Sequence, residues 1–441
     1  MMAESGADVD PLIQPDVLEL LFKLMKTEDT ALLAEVSWIL TNVCGSQTEH
    51  TDAVVNAGGI ALFVPCLDST HKGLVEQALL AFGNIAGNGV ESRDRLLEFR
   101  LLQRGPAFVQ HPHAAVGRAA AWMLANICRT PPLPPVEDFR ECLAMLESVV
   151  PTTQDESIRT DLLWTLVYIS NVYPEAISHT ALLQHVIASL QFNQNITPAV
   201  RIIGNLSAGP DICTARLLRL GACGVLFRLL QTTSKHATRR ELLWIFSNIA
   251  AGPPAHAHML LLEGVLDSLI AGVPGMSDKS LVHEVCYIFR NLLDGLMAGT
   301  QLLERRVLFH LLQLVLKFDQ SIERLEQLLE QLYNTPYHAK ILEQIEAAIQ
   351  LECSADNPTV LAMLLDFVSK AKQGHLFLGV PKDGAGGKDG DADDGDDGDD
   401  GDDGDDGDDD DDDEEDLAGD DDGDAAGVGA KSDATAPSPL D

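Results

Sequence analysis

The chain has 441 residues, is 46% hydrophobic but only 5% aromatic, and carries 68 acidic against 30 basic residues for a formal charge of -38. That balance excludes a broad phosphate-binding surface and favours basic partners. The excess is local: residues 389–424 hold 25 acids and no base, whereas residues 1–388 hold 41 acids against 29 bases.

In chain order, residues 1–13 (opening MMAESGADVD) have no basic stretch before an apolar run and are expected to be a short flexible N-terminus. No apolar stretch reaches ~18 residues, so neither a secretory signal nor a membrane span is expected. Residues 14–294 read as seven helical repeats. Residues 295–375 are less regular, and LLERRVLFHLLQLVLKF, SIERLEQLLEQL and AKILEQIEAAIQL within them read as amphipathic helices of degenerate repeats that cap the stack. Residues 376–441 are Gly, Asp and Ala with almost no large apolar group, so they cannot offset the entropy of folding and should be disordered. The eight cysteines, Cys44, Cys66, Cys128, Cys142, Cys213, Cys223, Cys286 and Cys353, lie far apart with no CxxC pair. They read as buried free thiols in an intracellular, reducing compartment.

The repeat is carried by a short pattern: WILTNVCGS, LLAFGNIAGN, WMLANICR, WTLVYISN, RIIGNLSAG, WIFSNIAAG and YIFRNLLDG. Aligned on the leading residue, these give Trp38, Leu80, Trp122, Trp164, Arg201, Trp244 and Tyr287, in steps of 42, 42, 42, 37, 43 and 43. Four residues later stand Asn42, Asn84, Asn126, Tyr168, Asn205, Asn248 and Asn291. A period near 42 fits three-helix armadillo repeats. Apolar residues fall at three- and four-residue steps, which indicates helix, and Gly45, Gly87, Gly209 and Gly252 follow as helix ends. Glycine turns open shorter helices in NAGGIALFVPCL and LLEGVLDSLIAGV. The expected fold is all-α, an armadillo-repeat right-handed superhelical solenoid with a disordered acidic C-terminal tail.

Residues i and i+4 share one helix face, so stacking would turn the Trp/Asn pairs into a ladder along a groove. Asn is a poor mid-helix residue and costly to bury unpaired. One reading has it tying adjacent repeats together. The favoured reading gives it an external task, bonding the backbone of an extended peptide whatever its side chains. Indoles offer faces to cationic heads and slots to aliphatic stems. Three residues before each leading position come Glu35, Gln77, Ala119, Asp161, Pro198, Glu241 and Glu284, of which four are acidic. The chemistry is recognition of a basic peptide, weakened by salt.

The array resembles the importin-α (karyopherin-α) family of armadillo adaptors. The family's repeats run Trp/Asn three times, then Trp/Tyr, Arg/Asn and Trp/Asn twice; Trp164 with Tyr168 and Arg201 with Asn205 reproduce its two unusual members in order. ANICRTPPLPP resembles its fourth repeat and GNIAGNG its third, so Trp38 falls in the second and Tyr287 in the eighth. The resemblance implies a function in nuclear import, binding Lys/Arg-rich nuclear localisation signals. It implies a major site at Trp38, Asn42, Thr51, Gln77, Asn84, Trp122, Asn126 and Asp161. The implied minor site is Arg201, Asn205, Asp211, Glu241, Trp244, Asn248, Glu284, Tyr287 and Asn291. It implies residence in cytoplasm and nucleus, and an export receptor at the C-terminal repeats.

Three departures matter. Leu80 stands where the family has Trp, and Asn88 where it has the Asp that pairs with the preferred lysine, so the minor site is expected to be the stronger. Tyr287 replaces another Trp but keeps an aromatic face. The family's basic importin-β-binding segment and first repeat find no match here, which puts importin-β binding in doubt or makes the sequence incomplete. The HxH pairs His111/His113 and His256/His258 lack a third ligand at motif spacing, and GNGVESRD lacks the ending of a P-loop. No metal, cofactor, catalytic residue, direct nucleic-acid contact or membrane contact is expected. The alternative is an armadillo scaffold or histone-chaperone-like binder of basic proteins without importin-β-dependent transport, with an acidic tail that serves either solubility and spacing or the binding of basic proteins such as histones.

Overall fold

Helix starts are set by polar residues that precede the apolar runs. The Asp29 carboxylate accepts from the backbone N–H of Ala31 and Leu32 at 3.0 and 3.2 Å. Asp155 does the same for Ser157 and Ile158, and Asp278 for Ser280 and Leu281. Each satisfies donors that the first turn leaves without partners. The three acids open the first, fourth and seventh of the long helices numbered here α1 (Thr30–Cys44), α2 (Lys72–Gly87), α3 (Ala114–Arg129), α4 (Glu156–Val172), α5 (Ile196–Ala208), α6 (His236–Ala251) and α7 (Lys279–Gly295).

The computed structural model describes residues 9–190, 195–295, 300–318, 325–351, 357–374 and 376, and among them there is no strand. Apart from Leu376, the expected disordered tail lies outside the described residues, as do residues 1–8 of the expected N-terminus. The chain is an all-helical armadillo-repeat solenoid. Successive long helices pack side by side from α1 to α7.

Each repeat adds shorter helices behind its long one. After α1 come Thr48–Asn56 and Gly59–Phe63; after α5, Asp211–Arg219 and Ala222–Thr232; after α6, Pro254–Leu262 and Val265–Gly272. The turn between the two short helices places Gly58, Gly221 and Gly264 at φ of 87°, 78° and 75°, a region where a side chain is strained. By contrast Gly45, Gly209 and Gly252 end α1, α5 and α6 at negative φ, so they act without a left-handed cap.

The core repeats with the same period. Two residues past each leading position stand Leu40, Phe82, Leu124, Leu166, Ile203, Phe246 and Phe289, all fully buried. Three residues further come Val43, Ile85, Ile127, Ile169, Leu206, Ile249 and Leu292, buried as deeply. Side chains of this size stabilise by about 1.5–3 kcal/mol each when taken from water. These two columns fix the rotation of every long helix and so aim the leading residues away from the core. The seven described cysteines are free and buried, and burial pushes the thiols of Cys44, Cys142, Cys223 and Cys286 up to about 12. Cys353 lies outside the described residues.

Beyond α7 the segments Thr300–Glu304, Val307–Phe318, Leu325–Tyr333, His338–Leu351 and Pro358–Lys372 are helical. Val307–Phe318 packs on α7, and His338–Leu351 packs on Val307–Phe318. The helix Pro358–Lys372 did not stand out in the sequence; the Asn357 side chain starts it by accepting from the Val360 N–H at 3.1 Å. Arg93 is buried and donates to the carbonyls of Thr130 and Pro132, both at 2.7 Å, while the Tyr173 hydroxyl donates to Pro134 at 2.8 Å. Together they pin the proline-rich loop after α3. Among the described residues no single helix is long and apolar enough to cross a membrane.

Candidate functional site

The leading residues line up along one face of the solenoid. Trp38 and Trp244 remain 39% and 38% exposed, unusual for a side chain of this size in a folded chain. Trp122 and Trp164 are half-buried. Their seating depends on what lies beneath. A Cβ added to Gly83 would stand 2.2 Å from Trp122 Cζ3, and one added to Gly204 would stand 2.6 Å from Trp244 Cζ3. Both glycines come just before the ladder asparagine of the preceding repeat. The indole of one repeat therefore lies on the bare backbone of the last.

The asparagines do part of what the less favoured sequence reading proposed. Asn84 Nδ2 donates to the Thr41 carbonyl at 3.0 Å, Asn205 Nδ2 to Val167 at 3.0 Å, and Asn291 Nδ2 to Ser247 at 3.1 Å. In each case the acceptor is the residue before the ladder position in the preceding repeat. Asn248 donates to the Ser207 hydroxyl at 3.3 Å, and Asn42 to the Trp38 carbonyl of its own helix at 2.8 Å. All but the Asn42 bond tie repeat to repeat. The bonds of Asn42, Asn84 and Asn248 use one N–H of the amide and leave the second for another partner, whereas Asn205 Nδ2 also donates to the Ser170 hydroxyl at 3.0 Å and Asn291 Nδ2 to the Ser247 hydroxyl at 3.3 Å. Asn126 differs: it is 7% exposed and its Nδ2 has no hydrogen-bond partner among the described residues.

Two clefts open on this face. The first, about 350 Å3, is lined by Ala34, Glu35, Trp38, Gly73 and Gln77. The second, about 600 Å3, gathers Glu241, Trp244 and Glu284. It also holds Arg240, Lys279, Ser280 and His283, which sequence reasoning missed. Arg240 and His283 directly precede the column acids, a signal available in the sequence. Both clefts place an indole between its own column residue and that of the next helix. By the same register Asp161 stands between Trp122 and Trp164.

The acids are held in a poorly hydrated setting. Burial, with the neighbouring Asp155 charge adding to it, pushes the Asp161 carboxyl up to about 7. Burial also raises Glu241, against the pull of Arg201 and Arg240, and raises Glu284, against His283 and Arg240. In the middle of the ladder the Arg201 guanidinium lies 5.6 Å from the Trp164 ring centroid, and its Nε donates to Glu241 at 3.1 Å. Trp164 and Tyr168 are tilted with centroids 6.0 Å apart, and Tyr287 packs edge-on to His283.

The remaining candidates lie elsewhere. Thr51 is buried, and its hydroxyl donates to the Cys44 carbonyl at 2.9 Å. Asp211 is exposed in the first turn of Asp211–Arg219 and lines neither cleft. Leu80 is half-buried, and Asn88 at the end of α2 bonds Asp52. His256 is buried while His258 is exposed, and no group of three His, Cys, Asp or Glu among the described residues could hold a metal ion.

The armadillo/beta-catenin-like repeat family matches residues 47–87. Importin subunit alpha-1b of Oryza sativa subsp. japonica is 30% identical over 259 residues, covering 55% of this chain and 46% of its own length. Importin subunit alpha-1a of the same plant is 29% identical over 274 residues, covering 60% and 52%. Importin subunit alpha-2 of Caenorhabditis elegans is 29% identical over 254 residues, covering 54% and 46%. The chain thus spans about half the length of the curated relatives it matches. The crystal structure of an engineered protein shares the fold with a TM-score of 0.68 at 20% identity, covering 82% of this chain and 90% of the other. With its ladder, its period and these relatives, the chain is a divergent importin-alpha-like armadillo-repeat protein.

Proposed function

We propose that the chain is a binding adaptor that holds extended Lys/Arg-rich segments, of the nuclear-localisation type, along the Trp/Asn face, and that it carries out no reaction. The observation that carries this is Arg201. The groove already keeps one guanidinium between an indole and a carboxylate, Trp164 and Glu241. A lysine or arginine of a bound segment would find the same pair of features at Trp244 with Glu284, and at Trp122 and Trp164 with Asp161. A cation over an indole contributes about 0.5–1 kcal/mol at an exposed site and more where water is excluded. The ladder amides, oriented by their ties, present their remaining donors and acceptors to the segment's main chain.

The cleft around Trp244 is the tighter subsite in this proposal. It brings two column carboxylates to one indole, whereas the cleft at Trp38 has Glu35 alone. Basic cargo segments, histones among them, are the proposed partners, with movement between cytoplasm and nucleus. Titration calorimetry with a bipartite basic peptide tests the reading. Saturable binding is expected, weakened by salt and by Trp244→Ala. Equal binding of a control peptide whose lysines and arginines are replaced by glutamine would overturn it. Retained histone binding without binding of such signal peptides would favour the scaffold or histone-chaperone reading.

A further inference from the structure

The column of acids is thin in the first half of the groove, where Glu35 is followed by Gln77 and Ala119. Asn88, at the end of α2, lies four residues past Asn84 and so on the same face. Its Nδ2 donates to Asp52 Oδ1 at 2.9 Å. The Ser92 hydroxyl lies 3.3 Å from the same amide and 3.5 Å from the same carboxylate oxygen. Asp52 comes from the short helix Thr48–Asn56 and is half-buried. It takes part in no ion pair among the described residues. A carboxylate oriented by neutral donors and lacking a counter-ion is a receptor for a cation.

A second observation stands beside it. The deeply buried Asn126 has an Nδ2 with no hydrogen-bond partner among the described residues, and the Oδ1 of the same amide lies 3.7 Å from the Cβ position of Gly87, the residue next to Asn88. The nearby cations are committed elsewhere: Arg129 donates to the Gly87 carbonyl at 3.2 Å, and Arg93 to Thr130, Pro132 and Asp94. An orphaned amide donor and an uncompensated carboxylate on one short stretch of groove match the main-chain carbonyl and side-chain ammonium of an extended lysine-bearing segment.

We infer that Asp52, held in place by Asn88, supplies the lysine-receiving carboxylate in the first half of the groove, with Asn126 taking the segment's main chain beside it. This rests on the proposed peptide-binding function and adds a specificity-determining residue to it. Asn88 is then a positioning residue. Its amide aims the carboxylate, whereas an acid at residue 88 would set two like charges against each other.

The test uses the full chain with Trp244→Ala, which silences the second cleft, and a fluorescein-labelled oligolysine peptide read by anisotropy. Adding Asp52→Asn should weaken binding about tenfold, the worth of one charge-assisted bond at a half-exposed site. Combining Asp52→Asn with Asn88→Asp moves the charge by one contact and should restore most of the affinity, which a merely structural role for Asp52 would not do. Melting temperatures confirm that each variant folds, and the charge-swapped pair answers the question if Asp52→Asn alone does not. Affinity unchanged by Asp52→Asn but lowered by Asn126→Ala would overturn the inference and leave the groove reading standing. No binding by the chain with native Trp244 would overturn both, and indifference to both changes would overturn the inference alone.

Discussion

Asp161→Asn should separate what the groove costs the fold from what it gives a ligand. Asp161 sits on α4 one turn before Trp164, and the charge of Asp155 at the helix start adds to the effect of its burial. Asp155 is itself paired with Arg118 at 2.9 Å. The native chain holds the Asp161 proton up to about pH 7, against an ordinary value of 3.8. The unfolded chain releases it near that ordinary value. Between the two, the unfolded state binds fewer protons, so stability falls as pH rises through that window. A gap of about three units corresponds to about 4 kcal/mol, and partial exposure reduces that to about 2–3 kcal/mol. Asparagine keeps the shape without the charge. The variant should therefore be more stable than the parent at pH 8, by about 1–3 kcal/mol, and nearly equal to it at pH 4.

Binding should move the other way. A cation seated between Trp122 and Trp164 needs the ionised carboxylate, which with a midpoint near 7 is about nine-tenths present at pH 8 and about one-tenth at pH 6. Affinity for a labelled oligolysine peptide should drop about tenfold over that interval at constant ionic strength. Glu241 and Glu284 are also raised, so the diagnostic quantity is the part of the ratio that Asp161→Asn removes. Urea melts at pH 4 and pH 8 and anisotropy at pH 6 and pH 8 supply all four numbers. A variant less stable than the parent at pH 8, or an unchanged pH ratio, would refute the account of Asp161.

Gly83→Ala should displace the Trp122 indole, since the new methyl would stand 2.2 Å from its ring. A loss of about 1–3 kcal/mol is expected in denaturant melts, with a shifted tryptophan emission; unaltered emission would show that the indole does not rest on that backbone. Removing residues 389–441 should slow association with a basic cargo at low salt and change dissociation little, because tethered charge acts on encounter. Stopped-flow rates at two salt concentrations decide it, and faster binding after removal would mean that the tail shields the groove.

The architecture was legible because its signal is redundant: leading residues and both buried columns share one period, so any of them finds the helices. What escaped the sequence was what depends on contacts between helices of different kinds. Asp52 and Asn88 are 36 residues apart, on a short helix and a long one, and no single column contains both. Arg240 and His283 sit one place off the column of acids and enter the second cleft only because the long helices lie side by side. The asparagine ladder was visible, but its purpose was read too narrowly. The helix-spoiling residue earns its place twice, once by closing a bond onto the preceding repeat and once by presenting what is left of the amide. That double use explains the companion glycines. An amide can reach the carbonyl of the repeat before it only if the helices approach closely, and an indole can cover that contact only where the backbone beneath it is bare, as at Gly83 and Gly204. The groove is thus not carved into a finished solenoid. The bonds and close approaches that stack its repeats are the same ones that leave a row of aromatic faces, oriented amides and half-dehydrated carboxylates along one face.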